Sequence, residues 1–84
     1  MAEEVRHSSP VPVYVQLADI LARRIEAGEL KPDYPLPSEN QLQQAYGVSR
    51  NTARHAIALL RERGLVYTVT GRGTYVGQQE AQGR

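Results

Sequence analysis

Twelve residues, Ser38 to Ser49, hold two helix starts with a helix stop between them. Ser38 with Gln41 forms the S-x-x-Q pattern of a capping box, Gly47 can take the left-handed conformation that ends a helix, and Ser49 can cap the next one. Punctuation this close leaves no room for a wide reversing loop, so the two helices must meet at a steep angle. That is the geometry of a helix-turn-helix, whose second helix can enter a DNA major groove.

The flanking residues supply a wall and an edge for such a unit. Pro10 and Pro12 mark an entry, and from about Val13 to Ala27 the apolar positions Leu17, Leu21 and Ile25 recur at helical spacing, with Tyr14, Ala18, Ile20 and Gly28 extending the stripe. Asp19 and Arg23 stand four apart on the outer face of this first helix, the spacing of a weak surface pair. Glu29 to Pro35 reads as a loop, and prolines at 32, 35 and 37 keep helix out of it. Leu36 is the loop's apolar anchor. The short helix from Ser38 to about Tyr46 should turn Leu42, Ala45 and Tyr46 inward, with Pro37 and Leu42 at the staple positions and Val48 folding back onto Leu42.

The third helix, about Ser49 to Arg63, divides its faces most clearly. At about 100° per residue, Ala53, Ala56, Ile57 and Leu60 form one stripe, while Arg50, Asn51, Arg54, Ala58 and Arg61 gather opposite. Gly64 can end it, with Leu65 closing over Leu60 in a Schellman arrangement. Leu65 to Thr70 and Thr74 to Val76 are rich in β-branched and aromatic residues, and Gly71-Arg72-Gly73 lies between them, so a β-hairpin with Arg72 at its tip is expected. The chain therefore reads as an α+β winged helix-turn-helix: three helices followed by a two-stranded β-hairpin wing, spanning residues 10–77. Residues 1–9 and 78–84, polar and aperiodic, read as disordered tails.

Charge follows this division. Residues 1–48 carry four basic and seven acidic side chains, net −3, whereas residues 49–77 carry five Arg against Glu62 alone, net +4. A basic segment that begins where the third helix begins suits a polyanionic partner. The chain has no Cys, so disulfides and thiolate metal sites are excluded, and with His7 in the tail and His55 on the third helix no metal site is expected. No apolar run approaches the roughly 18–20 residues of a membrane span, and Met1-Ala2-Glu3-Glu4 has the wrong charge for a signal peptide, so a cytoplasmic location is expected. Gly71-Arg72-Gly73-Thr74 opens a strand and not a helix, which removes the dipole a phosphate-cradling loop needs. No nucleophile, base and orienting group can be named together, so neither catalysis nor a cofactor is expected.

Six segments carry a resemblance beyond this pattern: Pro12-x-Tyr14-x-Gln16-Leu17, Gly28-x-Leu30, Leu36-Pro37-Ser38-Glu39-x-x-Leu42, Tyr46-Gly47-Val48-Ser49-Arg50-x-Thr52-x-Arg54-x-Ala56, Leu59-x-x-x-x-Gly64-Leu65-Val66 and Gly71-x-Gly73-Thr74-Tyr75-Val76. In order and spacing they resemble the DNA-binding domain of GntR-family bacterial transcription regulators, particularly the HutC-like branch, over about residues 10–77. The resemblance implies that Arg50 and Arg54, helped by Asn51, contact operator bases, that Ser49 and Thr52 hold phosphates, and that Gly71-Arg72-Gly73 lies in or beside the minor groove. It also implies double-stranded DNA as partner, a palindromic operator, and two copies meeting as a homodimer on it. Asn40 stands where the family often has Arg, so a contact from the short helix is weakened or altered. Asp33-Tyr34-Pro35 replaces a loop that commonly contains Gly. Members usually continue into an effector-binding, dimerising domain, and no effector pocket is expected within these residues.

Two other uses of the same fold stay open at this level. Arg50 and Arg54 can be ordinary solvated charges, with the third helix docking a partner protein; that use calls for apolar anchors at helical spacing, which this face lacks. RNA recognition calls for exposed stacking aromatics, for which Tyr67 and Tyr75 are the candidates.

Overall fold

The computed structural model describes residues 3–78. The chain runs α1 (Val13–Glu26), α2 (Glu39–Tyr46), α3 (Arg50–Glu62), β1 (Val66–Val69) and β2 (Gly73–Val76), which is the expected winged order. Both serine caps form. Ser38 Oγ accepts from Gln41 N at 3.1 Å while Gln41 Oε1 accepts from Ser38 N at 2.8 Å, completing the capping box. Between the helices Gly47 takes φ +66°, and its N–H donates to the Gln43 carbonyl at 2.9 Å. α3 closes as a Schellman motif, Leu65 N donating to Leu60 O and Gly64 N to Arg61 O, both at 3.0 Å. α1 ends the same way, Glu29 N donating to Arg24 O at 3.0 Å and Gly28 N to Ile25 O at 3.1 Å.

The core forms where the three apolar stripes meet. Leu17, Leu21, Leu42, Leu60 and Val76 are its largest fully buried side chains, and Ala53 and Ala56 let α3 approach its neighbours closely. Ala45 does not join them; it is exposed. It sits about 60° around the helix from Leu42, at the rim of a helix too short to cover both positions. Tyr46 is half-buried and its hydroxyl accepts from Arg24 Nη1 at 3.1 Å, tying α2 to α1.

The loop after α1 is more ordered than its prolines suggest. Tyr34 O accepts from Val76 N and Leu36 N donates to Thr74 O, both at 2.9 Å, and Asp33 N donates to Val76 O at 2.7 Å. Pro35 pairs with Tyr75 between those bonds, at a position where no N–H is required, so the missing donor costs nothing. This segment flanks β2 on the side away from β1 and gives the hairpin a third, strand-like neighbour. A two-stranded hairpin alone is marginal in water. Asp33 holds φ +66°, a conformation that Asp tolerates better than most residues, in the loop where the resembling family commonly has Gly.

Residues 3–9 depart from the expected tail. Gln16 grips the segment: its Oε1 accepts from Arg6 N at 2.7 Å, and its Nε2 donates to Arg6 O at 2.9 Å and to Val11 O at 2.8 Å. Arg23 pairs with Glu3, whose carboxyl is held below its ordinary range by that bond, and Val5 packs half-buried against the core. Arg23 is therefore hydrogen-bonded to Glu3 and not to Asp19, which accepts from Arg63 Nη1 at 2.9 Å and ties α1 to the end of α3. Of the expected tail 78–84, residues 79–84 lie outside the described residues; Gln78 Nε2 donates to Asp33 Oδ2 at 2.6 Å. No helix among the described residues is long and apolar enough to cross a membrane.

A Cβ at Gly47 would meet nothing within 4 Å, so a substitution there meets no clash and strains the backbone alone. Gly47→Ala should destabilise the fold by about 1–2 kcal/mol, measured by urea unfolding. Unchanged stability would show that the left-handed turn is not required.

Candidate nucleic-acid interface

The face of α3 opposite the core is polar and open. Arg50, Asn51, Arg54 and Arg61 are all exposed along it. Because α3 spends Ala53, Ala56, Ile57 and Leu60 on the interior, its other side projects from a wall that cannot turn away. His55 stands at the margin of this face, stacked on Tyr14 of α1 with ring centroids 3.9 Å apart and planes 6° from parallel. The stack braces the outer flank of the helix, a contact across 41 residues of sequence that no local pattern announces.

The hairpin pairs Val66 with Val76 and Val69 with Gly73, leaving Thr70, Gly71 and Arg72 as the connecting loop. Gly73 is thus the first residue of β2 and not part of the tip, and its φ of +126° explains why Gly stands there. Gly71 takes φ +81°, and Arg72 N donates to Val69 O at 2.9 Å. Arg72 is exposed at the end of the wing. Strand alternation sends Val66 and Val76 into the core, while Tyr67 and Tyr75 stack on the other face, their centroids 5.9 Å apart. Tyr67 OH donates to Asp33 Oδ1 at 2.8 Å, a bond that raises its pKa above the ordinary phenol value. These aromatics are accordingly a brace between wing and loop.

Between the wing, α3 and the start of α2 runs a groove of about 490 Å³. Arg54, Arg61 and Arg72 line it, with Glu39 as the opposing charge and Ser38 and Thr74 among its polar walls. Arg61 Nε donates to Thr68 Oγ1 at 3.0 Å, fastening α3 to β1, and Arg54 Nε donates to Glu39 Oε2 at 3.3 Å. A groove with three cations and one anion suits a phosphate backbone.

Of the residues anticipated from sequence, the fold brings Arg54, Arg72 and Gly73 together in this groove. Asn51 lies beside Arg54 and His55 in a shallower hollow of about 290 Å³. Arg50 projects from the first turn of α3, and Asn40 is exposed on the first turn of α2, outside the residues lining the groove. Ser49 and Thr52 are joined to each other: Ser49 Oγ accepts from Thr52 N at 3.1 Å and donates to Thr52 Oγ1 at 3.0 Å. Their first task is the helix cap, and the Thr52 hydroxyl proton remains to be donated elsewhere. Glu39 was not singled out by sequence reasoning as part of a site, and Arg61 was expected on the exposed face of α3 but not in a groove with the wing. Their partners, Arg54 and Thr68, lie 15 and 7 residues away, beyond any local spacing rule.

Helix, turn, exposed basic helix and wing together define a winged helix-turn-helix of the kind that serves as a DNA-binding domain. The profile of bacterial regulatory proteins of the gntR family matches residues 13–76, and the chain belongs to that family. It is 41% identical over 78 residues to the HTH-type transcriptional repressor NagR of Bacillus subtilis, covering 93% of this chain and 32% of that protein. To the mannosyl-D-glycerate transport/metabolism system repressor MngR of Escherichia coli it is 44% identical over 68 residues, covering 81% and 28%. The chain thus spans about a third of the length of these curated relatives. Among solved structures it resembles the AraR DNA-binding domain in complex with operator ORR3, with a TM-score of 0.76 and 38% identity over 92% of this chain and 93% of that one.

Ser49→Ala should lower stability by about 1 kcal/mol through loss of the cap, and Ser49→Asp should restore it, since a carboxylate also caps and favours a helix N-terminus. Thermal melts of the two variants check this; equal losses would mean the hydroxyl matters for something other than the cap.

Proposed function

We propose that this chain is the DNA-binding part of a transcription regulator that recognises a specific duplex sequence. α3 enters the major groove, and the wing reaches the neighbouring minor groove. The observation that carries this reading is the pair Arg50 and Arg54, exposed on a helix whose other face is fully committed to the core, beside a groove that adds Arg61 and Arg72. Arginine bonds bidentately to guanine O6 and N7, which makes these two the base readers, with Asn51 as a third. The α2 side chain Asn40, the Thr52 hydroxyl, and the N-terminus of α3 that Ser49 caps face the backbone phosphates. Gly71, Arg72 and Gly73 bring the wing backbone and one cation to the minor groove. The AraR domain, similar over nearly the whole of both chains, was solved with its operator, which supports the same use here.

Residues 10–77 form the unit that binds. Two copies meet as a homodimer on a palindromic operator, with half-sites about one helical turn apart. The location is cytoplasmic, where the DNA of a bacterium lies. No catalytic step, metal or cofactor belongs to this function, and effector binding is not assigned to these residues.

Selection of bound sequences from random duplexes is the direct test. Enrichment of a palindromic site supports the reading, and failure to enrich any sequence overturns it. Arg54→Ala should lower affinity for the selected site by about 1–3 kcal/mol and relax preference at one base pair; equal losses on selected and random duplexes would make Arg54 a phosphate contact. Arg72→Ala should reduce the salt slope of binding by about one unit. An unchanged slope would place the wing away from the DNA.

A further inference from the structure

A carboxylate in the groove calls for a reason. Glu39, the first residue of α2, lines the same groove as Arg54, Arg61 and Arg72, where a phosphate backbone would meet it with like charge. An exposed ion pair adds little to folding stability, so the pairing of Glu39 with Arg54 is not explained by stability. A favourable position at a helix N-terminus accounts for an acid at this residue. It does not account for the aim of the side chain, whose Oε2 accepts from Arg54 Nε at 3.3 Å across 15 residues.

The atoms involved are informative. The bond occupies Nε, and among the described residues the two Nη groups of Arg54 have no partner. Those Nη groups form the fork that can engage guanine O6 and N7 together. Glu39 is also the more sheltered of the two, its side chain 35% exposed against 61% for Arg54, so it acts as the fixed post and Arg54 as the tethered arm. Without the tether, a long flexible arginine beside Arg61 and Arg72 would turn to whichever phosphate came within reach.

We infer that Glu39 is a specificity-determining residue: it holds Arg54 by Nε with the Nη fork presented to a base edge, and its charge opposes the capture of Arg54 by a phosphate. This rests on the base-reading role proposed for Arg54. On the correct sequence the tether and the fork are satisfied together. On a wrong sequence the fork has no guanine and the carboxylate still repels the backbone, so non-specific binding is weakened.

The test uses the whole chain, a duplex enriched by selection with the unaltered protein, and a random-sequence duplex of equal length. Glu39→Gln should tighten binding to the random duplex and lower the ratio of specific to random affinity by about tenfold, within the range one bidentate base contact supplies. Glu39→Asp keeps the charge but shortens the reach; it should lower the ratio while leaving random-duplex affinity near that of the unaltered chain. In an Arg54→Ala background, Glu39→Gln should no longer change the ratio. Equal tightening on both duplexes would make Glu39 a charge in the general field and overturn the inference, as would an effect on the ratio that persists without Arg54. A ratio lowered by Arg54→Ala but untouched by either Glu39 variant overturns this inference alone. A ratio unchanged by Arg54→Ala overturns it together with the base-reading role beneath it. Thermal midpoints are expected to fall only slightly, Glu39→Gln losing a favourable charge at the helix N-terminus, because Ser38 and Gln41, not Glu39, make the capping box.

Discussion

The whole arrangement depends on the packing of one face of α3. Ala53, Ala56 and Leu60 are fully buried and Ile57 nearly so, which fixes both the distance of the helix from α1 and its rotation about its own axis. Two of those four are alanines. Small side chains permit close approach, and close packing in a dense interior admits few alternative rotations. With the inner face so constrained, Arg50, Asn51 and Arg54 have no freedom to turn inward, and their exposure follows from the core. Surface chemistry in this molecule is thus a product of burial on the far side of the same helix.

The features that proved legible in the sequence are those made within one turn of chain. The Ser38–Gln41 box, the left-handed Gly47, the Ser49 cap and the Schellman closure at Gly64 and Leu65 are each closed by residues three to five positions apart, so their spacing is their signature. The hairpin was legible for the same reason, although its loop is Thr70 to Arg72 and Gly73 belongs to the strand. What the sequence concealed is long-range. Pro35 and Tyr75 pair across 40 residues, Asp19 meets Arg63 across 44, and Gln16 holds the backbone of Arg6 through a side-chain amide. No residue type signals such a partnership. Asp19 with Arg23 at helical spacing was a reasonable pair to expect, yet Glu3 and Arg63 took them separately.

The candidate site divides along the same line. That Arg50, Asn51 and Arg54 would share an exposed face follows from helical periodicity alone. That Arg54 would stand in a groove with Arg61 and Arg72, opposed by Glu39, required the angle between α2 and α3 and the position of the wing. Those are set by Val48 and Leu42 under the turn and by the strand-like segment 34–36 behind the hairpin. Ser49 and Thr52 show the converse. Their residue types suited phosphate, but the same hydroxyls are what a helix start needs, and the cap uses them first.

Asp33 links the part of the loop that departs from the family pattern to the position of the wing. Its backbone takes the left-handed conformation that Gly would adopt freely, so Asp imposes some strain where Gly would impose none. In exchange its carboxylate accepts from Tyr67 of β1 and from Gln78 just after β2, fastening the loop to both strands of the hairpin. A Gly there would remove both side-chain bonds and leave the backbone bonds to Thr74 and Val76 and the packing of Leu36 with Val66 and Val76. The wing carries Arg72 at its far end, and any tilt at the base is magnified at the tip. Asp33 therefore acts on the placement of Arg72 through the base of the hairpin, to which its carboxylate is bonded on both sides.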